Sequence, residues 1–356
     1  MQAPSVAETI QEWANGSDAE SRLDYLDRTS PEVAASVRAA LARPDRIETV
    51  ERIEGVVKRW WDDLLRPGAN VTPDEAVQFA RFFGTVGFFH KYKPYGVKIA
   101  SPFGYSLFDL HDGEGFSFQV HIEPKYEAFH ILRTKPRSLI YVGSVPEWNA
   151  VGEPWARGVR AGEDLPDPVA VWRPAVGDTT AIVETETVHS VLGCVLEEYA
   201  GCSVDAVERL YDPYPRGNLG LAADHVSARD LLLSSPSALP TRVLHRIPSG
   251  WHTEPASPGA SSHTMIDMKD ELWGGRALVT RDQPVPVDGT DEDVSVLVPT
   301  AGDVVVDVQG TALPVALGEL ICLPPRVEAR ILPARDSAVV ALQRVARSLV
   351  TSDWTR

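Results

Sequence analysis

The chain has 356 residues, 44% of them hydrophobic, enough for two or three units with cores of their own. Its formal net charge of -16 argues against nucleic acid or an anionic membrane surface as its main partner. No run of about 18 apolar residues suggests a membrane span. No basic-then-apolar leader opens the chain, and Cys194, Cys202 and Cys322 form no CxxC pair, so the expectation is a reduced, cytoplasmic setting.

Residues 1–90 read as helical. Ser30-Pro31-Glu32 is a helix start, and Ile47, Val50, Ile53, Val57, Trp60 and Leu64 recur every three or four residues as one apolar stripe. Thr72-Pro-Asp-Glu75 has the form of a capping box ahead of Val77, Phe79, Phe82 and Phe83, which predict a core face.

After Gly87 the texture turns to short β-rich runs between Gly, Pro and Asp turns: Val97–Ala100, Ser138–Val142, Thr180–Val183 and Val195–Tyr199. The stretch 147–168 reads as a lid-like loop, and 216–245 as a connector, weakly helical around Ala228–Leu233. A second β-rich unit follows, with Val294–Val298, Asp303–Val308, Glu319–Leu323 and Ala338–Leu342 as its clearest strands. Gly302-Asp and Gly318-Glu open two of these as Gly177-Asp opens an earlier one, so the two units look like a diverged repeat. The expected domains are a helical segment 1–90, a metal-binding unit 91–245 and a second unit 246–356. His189 lies twelve residues after Gly177, and Arg330 lies twelve after Gly318, so the second unit is expected to hold no metal.

The chemistry concentrates in Phe116–Leu132. Gln119 and His121 stand two apart in a strand-like run and share a face; Glu127 follows a short turn, and His189 waits downstream. Two imidazoles, a carboxylate and an amide oxygen suit a hard-to-borderline divalent ion with one position left open. Lys125, two before Glu127, can share its face, whereas His130, three after it, points the other way and reads as structural. Lys91, Lys93, Arg133, Lys135 and Arg137 could form a phosphate rim or be solvated charges.

Gln119-Val-His121 with Lys125-Tyr-Glu127 resembles the metal-binding segment of type I mannose-6-phosphate isomerases, zinc enzymes of the cupin superfamily. Val183–Ser190 is similar to that family's strand ending in the last histidine ligand. Leu196-Glu-Glu-Tyr and Val207-Glu-Arg-Leu-Tyr-Asp212 are similar to its acidic-ended strand and its arginine run. The resemblance spans about 93–215. It implies two cupin-type β-sandwich barrels after a helical segment, with metal on Gln119, His121, Glu127 and His189. It also implies a catalytic Arg209 and a site Lys125 that contacts substrate or moves protons. The implied cofactor is zinc, with iron or manganese as alternatives, and the implied reaction is aldose–ketose isomerisation of a sugar or sugar phosphate through an enediolate. Three features depart from the pattern: Ile122 stands where the family has Pro, the link from His121 to Glu127 is shorter, and Glu184-Thr-Glu186 replaces a Pro-x-Gly turn. Two other readings stay open, an Fe(II) cupin oxygenase on the same quartet and a sugar-binding protein without catalysis.

Overall fold

The computed structural model describes residues 68–346 apart from 87–88, 94, 101–103, 123–124, 183–185, 202–206, 212, 214–227, 236–238, 240–241, 247–261, 268–271 and 291. The apolar stripe from Ile47 to Leu64 and the helix start at Ser30 lie outside the described residues, as do Glu184 and Cys202. No helix among the described residues is long and apolar enough to cross a membrane.

The architecture is mainly β, as two β-sandwich barrels require. The elements run α1 (Pro73–Val86), β1 (Phe89–Lys93), β2 (Gly96–Ala100), β3 (Tyr105–Leu110), β4 (Phe118–His121) and β5 (Tyr126–Ser144). A helical insert follows: α2 (Val145–Glu147), a π-helical turn (Trp148–Gly152) and α3 (Glu153–Arg160). Then come β6 (Val171–Trp172), β7 (Asp178–Ile182), β8 (Thr187–Gly201), β9 (Val207–Tyr211), α4 (Ala228–Leu233), β10 (Arg242–Arg246), β11 (Ser262–Asp267) and β12 (Leu272–Thr280). The last elements are β13 (Val285–Val287), β14 (Asp293–Ala301), β15 (Val304–Val308), β16 (Thr311–Val315), β17 (Ile321–Leu323), β18 (Ala329–Pro333) and β19 (Ser337–Ala346). They form two compact units, one from Lys91–Leu278 with Ala341–Gln343, the other from Val279–Val340 with α1 and Arg344 onward.

In the first unit one sheet runs β1-β2-β3-β8-β5-β7-β10, with β4 joined to β8 and β9, and β6 to β5. The β2–β3, β3–β8, β8–β5, β5–β7, β5–β6, β4–β8 and β4–β9 pairs are antiparallel, and β10 is parallel to β7. The two longest strands, β5 and β8, stay paired from Tyr126↔Gly201 to Ser144↔Thr187, with register shifts between Ile131 and Arg133 and between Thr134 and Leu139. Such irregularities bend a strand and let a sheet curl. Gly193 sits at the second shift with φ 63, a conformation that disfavours a side chain. On either side of it Val191, Cys194 and Leu196 join one core with Phe108, Phe116, Phe129 and Ile131. Strict alternation would put Val191 and Cys194 on opposite faces. The inward phase therefore switches at Gly193.

The opposite face of β8 carries a closed ionic knot. The Arg276 guanidinium meets both Glu197 oxygens, Nε to Oε2 at 3.0 Å and NH2 to Oε1 at 3.1 Å. Tyr105 donates to Oε1 at 2.6 Å and Tyr199 to Oε2 at 3.3 Å. Arg276 and Glu197 are both fully buried.

The stretch 147–168, read as a loop, is instead helical over Val145–Arg160. Ser144 and Glu147 close a capping box, Oγ accepting from the Glu147 N–H at 3.3 Å and Oε2 accepting from the Ser144 N–H at 2.8 Å. Trp148 stacks on Phe118 at 4.7 Å, and Trp155 on Tyr141 at 6.3 Å. Phe118 belongs to β4, so that contact could not be read locally; Ser144-Val-Pro-Glu147 was a local helix start that the loop reading passed over.

In the second unit β13-β18-β15-β16 form an antiparallel sheet, and β14 pairs with β17. Helix α1 packs on β17 and β16. The expected capping box forms: Thr72 Oγ1 accepts from the Glu75 N–H at 3.3 Å, and Glu75 Oε2 from the Thr72 N–H at 2.9 Å. Ala76, Phe79 and Ala80 supply its buried face.

Candidate metal centre

Strand β4 lies between β8 and β9, and that placement makes the site. Gln119 is opposite His189 on one side and opposite Arg209 on the other. Directly opposed residues share a face, so one rung carries Arg209, Gln119 and His189. His121, two residues along β4, shares that face. Glu127 enters from the start of β5.

The three buried groups converge, with one ligand atom from each of His121, Glu127 and His189 within 4.8 Å of the others. Glu127 Oε2 lies 3.4 Å from His121 Nε2 and 3.2 Å from His189 Nε2. The two rings meet edge to face with centroids 4.7 Å apart. His121 Nε2 and Glu127 Oε2 have no hydrogen-bond partner among the described residues, although both are enclosed. Enclosed lone pairs are costly without a partner, and a group converging in this way could hold a metal ion.

The imidazoles are ready to ligate. Burial, then the charges of His189 and Lys125, push His121 down to about 2. Burial and then Lys125 push His189 down to about 3. Both rings are therefore neutral near pH 7, as a ligand must be. His189 Nδ1 faces the Thr187 carbonyl at 3.4 Å; a proton donated there leaves the Nε2 lone pair turned inward. The Gln119 amide nitrogen is placed 3.0 Å from His189 Nε2, and turning that amide end for end puts its oxygen there instead. Two neutral imidazoles, one carboxylate and one amide oxygen fit a borderline divalent ion.

Two further cations stand near the ligands. The Lys125 ammonium pairs with Glu127 Oε1, leaving Oε2 for the imidazoles. Arg209 is an exposed residue of β9 on the Gln119 rung. His130 lies on the other face of β5: it is opposite Glu197, fully buried, with Nδ1 3.0 Å from the Thr179 hydroxyl. Of the basic residues considered for a phosphate rim, Lys135 pairs with Asp109 at 2.5 Å, Arg137 with Asp112 at 3.3 Å, and Arg133 reaches Asp109 at 3.8 Å. The side chains of Lys91 and Lys93 lie outside the described ones.

Sequence reasoning missed Glu198 and Lys98. Beyond the phase switch at Gly193, Glu198 is opposite Phe129, whose ring lies 6.2 Å from that of His189. The available signal was the pair Glu197-Glu198 inside an apolar strand, since adjacent strand residues face opposite ways and one had to be internal.

No protein-family model matches the sequence, and no curated protein does. Among solved structures, the mannose 6-phosphate isomerase from Bacillus subtilis is 15% identical, with TM-score 0.41, over 67% of this chain and 74% of that one. A phosphomannose isomerase mutant from Salmonella typhimurium is 11% identical, with TM-score 0.41, over 69% and 79%. A cupin 2 conserved barrel domain protein from Leptotrichia buccalis is 11% identical, with TM-score 0.36, over 70% and 86%. At such identities and TM-scores these likenesses carry nothing about chemistry.

Proposed function

We propose that the protein is a metal-dependent aldose–ketose isomerase acting on a small sugar or sugar phosphate. The observation that carries this reading is the buried triangle His121, Glu127 and His189 with an arginine on the same rung. Gln119 completes the ligand set. A divalent ion held there, zinc on the resemblance in the sequence, would act as a Lewis acid on the carbonyl and hydroxyl oxygens of the substrate.

The chain's own groups do the rest. Arg209 meets the negative charge that develops as a proton leaves the carbon next to the carbonyl. Lys125 holds Glu127 by one oxygen, so that the other faces the imidazoles, and supplies a proton donor beside the ligands. Trp148, Tyr141 and Phe118 pack behind β4 and hold its backbone against movement.

The test pairs metal analysis of the purified protein with a screen of sugars and sugar phosphates for aldose–ketose interconversion. Bound zinc and turnover of one sugar pair are expected. Iron with substrate-dependent oxygen uptake would establish the oxygenase instead. A metal-free protein that binds sugar without converting it would establish a binding role.

A further inference from the structure

The wall of the first barrel beside the metal ligands carries a set of polar groups that the proposed reaction does not use. Strand register builds it. Glu198 of β8 is opposite Ser106 on β3 and Phe129 on β5, and Phe129 is opposite Thr180 on β7. Four strands thus put Ser106, Glu198, Phe129 and Thr180 on one inward rung. Glu127 is opposite Ala200, so Glu198 is its diagonal cross-strand neighbour on the same face, roughly 7–8 Å away. Lys98 of β2, opposite Phe108, reaches across that ring at 4.7 Å and donates to Glu198 Oε2 at 3.3 Å.

Each group is built in. Glu198, Ser106 and Thr180 are buried, and the Lys98 side chain keeps 26% of its surface accessible. Burial works to raise the Glu198 carboxyl. The Lys98 charge, then that of Lys125, and hydrogen bonds from Lys98 and Ser106 outweigh it and hold the group below the ordinary carboxylate range. The Thr180 hydroxyl is enclosed with no hydrogen-bond partner among the described residues. Hydroxyls alternating with a matched ammonium and carboxylate offer donors and acceptors at no net charge.

We propose that this rung is the sugar-binding wall of the site, and that its internal charge pair selects an uncharged polyhydroxy substrate over the corresponding phosphate ester. The proposal rests on the sugar-isomerase reading for the ligand's identity. Lys98, the cation that could meet a phosphate here, is already neutralised by Glu198. The Lys125 charge is spent on Glu127, and Lys135 and Arg137 are matched by Asp109 and Asp112. On this rung, among the described residues, a phosphate would meet the Glu198 carboxylate with no unmatched lysine beside it, whereas sugar hydroxyls can bond to both members of the pair. Rejecting an anion by a carboxylate already in place is specificity through an unfavourable contact.

Binding tests this apart from turnover. Zinc-loaded protein is titrated calorimetrically with mannose, mannose 6-phosphate and inorganic phosphate, beside Glu198→Gln and Glu198→Gln/Lys98→Met. The wild type should bind mannose more tightly than its ester, and inorganic phosphate not at all up to millimolar concentration. Glu198→Gln frees the Lys98 charge and should gain at least tenfold in affinity for ester and phosphate; adding Lys98→Met should abolish that gain. A carboxylate with a merely structural role would produce no such gain. Wild-type preference for the ester would overturn the proposal, as would a folded, zinc-bearing Glu198→Gln without the gain. Should Glu198→Gln not fold, the wild-type comparison decides alone. If no sugar is converted but the phosphate pattern holds, the isomerase reading fails and the wall stands.

Discussion

The interiors of the two units are made in opposite ways from similar strands. In the second unit β14, β15 and β18 turn Val294, Val296, Val304, Val306, Val308 and Ile331 inward, and its described buried polar side chains are Ser295 and Thr300. In the first, β4, β5 and β8 alternate the same kinds of apolar residue with His121, Glu127, His189, Glu197 and Glu198, all buried. A hydrophobic interior stabilises by area removed from water, at about 25 cal/mol per Å². A buried charge does the reverse unless something answers it. Every buried charge in the first unit therefore needs a named answer, and two kinds occur. Arg276 and the tyrosines answer Glu197, Lys98 answers Glu198 and Lys125 answers one oxygen of Glu127, all from within the chain, whereas His121 Nε2 and Glu127 Oε2 have no hydrogen-bond partner among the described residues and could hold a metal ion.

This contrast can be broken at graded points. The largest effect is expected at the ligands: His121→Ala and His189→Ala should each lose the bound metal while far-UV circular dichroism stays native. Metal analysis at wild-type stoichiometry in either variant would rule the centre out. Next comes the knot. Glu197→Leu leaves the buried Arg276 charge without its carboxylate and should cost about 3–5 kcal/mol in urea unfolding. Glu197→Leu/Arg276→Met should recover much of that loss, because no orphaned charge remains. If the double variant is no more stable than the single, the knot does not act as a pair.

Arg209→Ala should keep metal and fold yet lose on the order of a hundredfold in kcat on a confirmed substrate, with little change in KM. Arg209→Lys restores the charge without the planar fork and should rescue only in part. Near wild-type turnover by Arg209→Ala would leave the metal site standing but not the role of the arginine. The smallest effect belongs to the apolar unit. Ile331→Val removes one methylene from a packed site and should cost about 0.5–1.5 kcal/mol. Metal content per mole of protein should not change, and a drop in it would show that the two interiors are not independent in this respect.

The placing of Gln119 and His121 on one face was legible because Gln119-Val-His121 is short, strand-like and local, so period-two spacing alone puts both side chains there. The Thr72–Glu75 box was legible for the same reason: its bonds span three residues. What stayed hidden depends on distant partners or on phase. Arg276 meets a carboxylate 79 residues earlier. The helical insert over Val145–Arg160 rests in part on Phe118, which belongs to β4. Glu198 stands nine residues after His189, an odd number, and a regular strand would send it outward. Its inward position follows from the register shift at Gly193, which no local composition announces.

That irregularity also sets a counting rule for descent. Between His189 and Glu198 a gain or loss of two residues leaves both side chains facing inward, but a gain of one puts Glu197 at the wall and Leu196 at the knot. The knot then loses its carboxylate, whereas a loss of one puts Glu198 at the knot and Tyr199 at the wall, since the two glutamates serve opposite faces. Homologues that keep both features should therefore preserve the odd spacing or carry a compensating irregularity elsewhere in β8. An alignment scored only by residue type would pass over a single-residue gap there. One that tracks whether spacings are odd or even would mark it as the point where a lineage had to abandon either the wall or the knot.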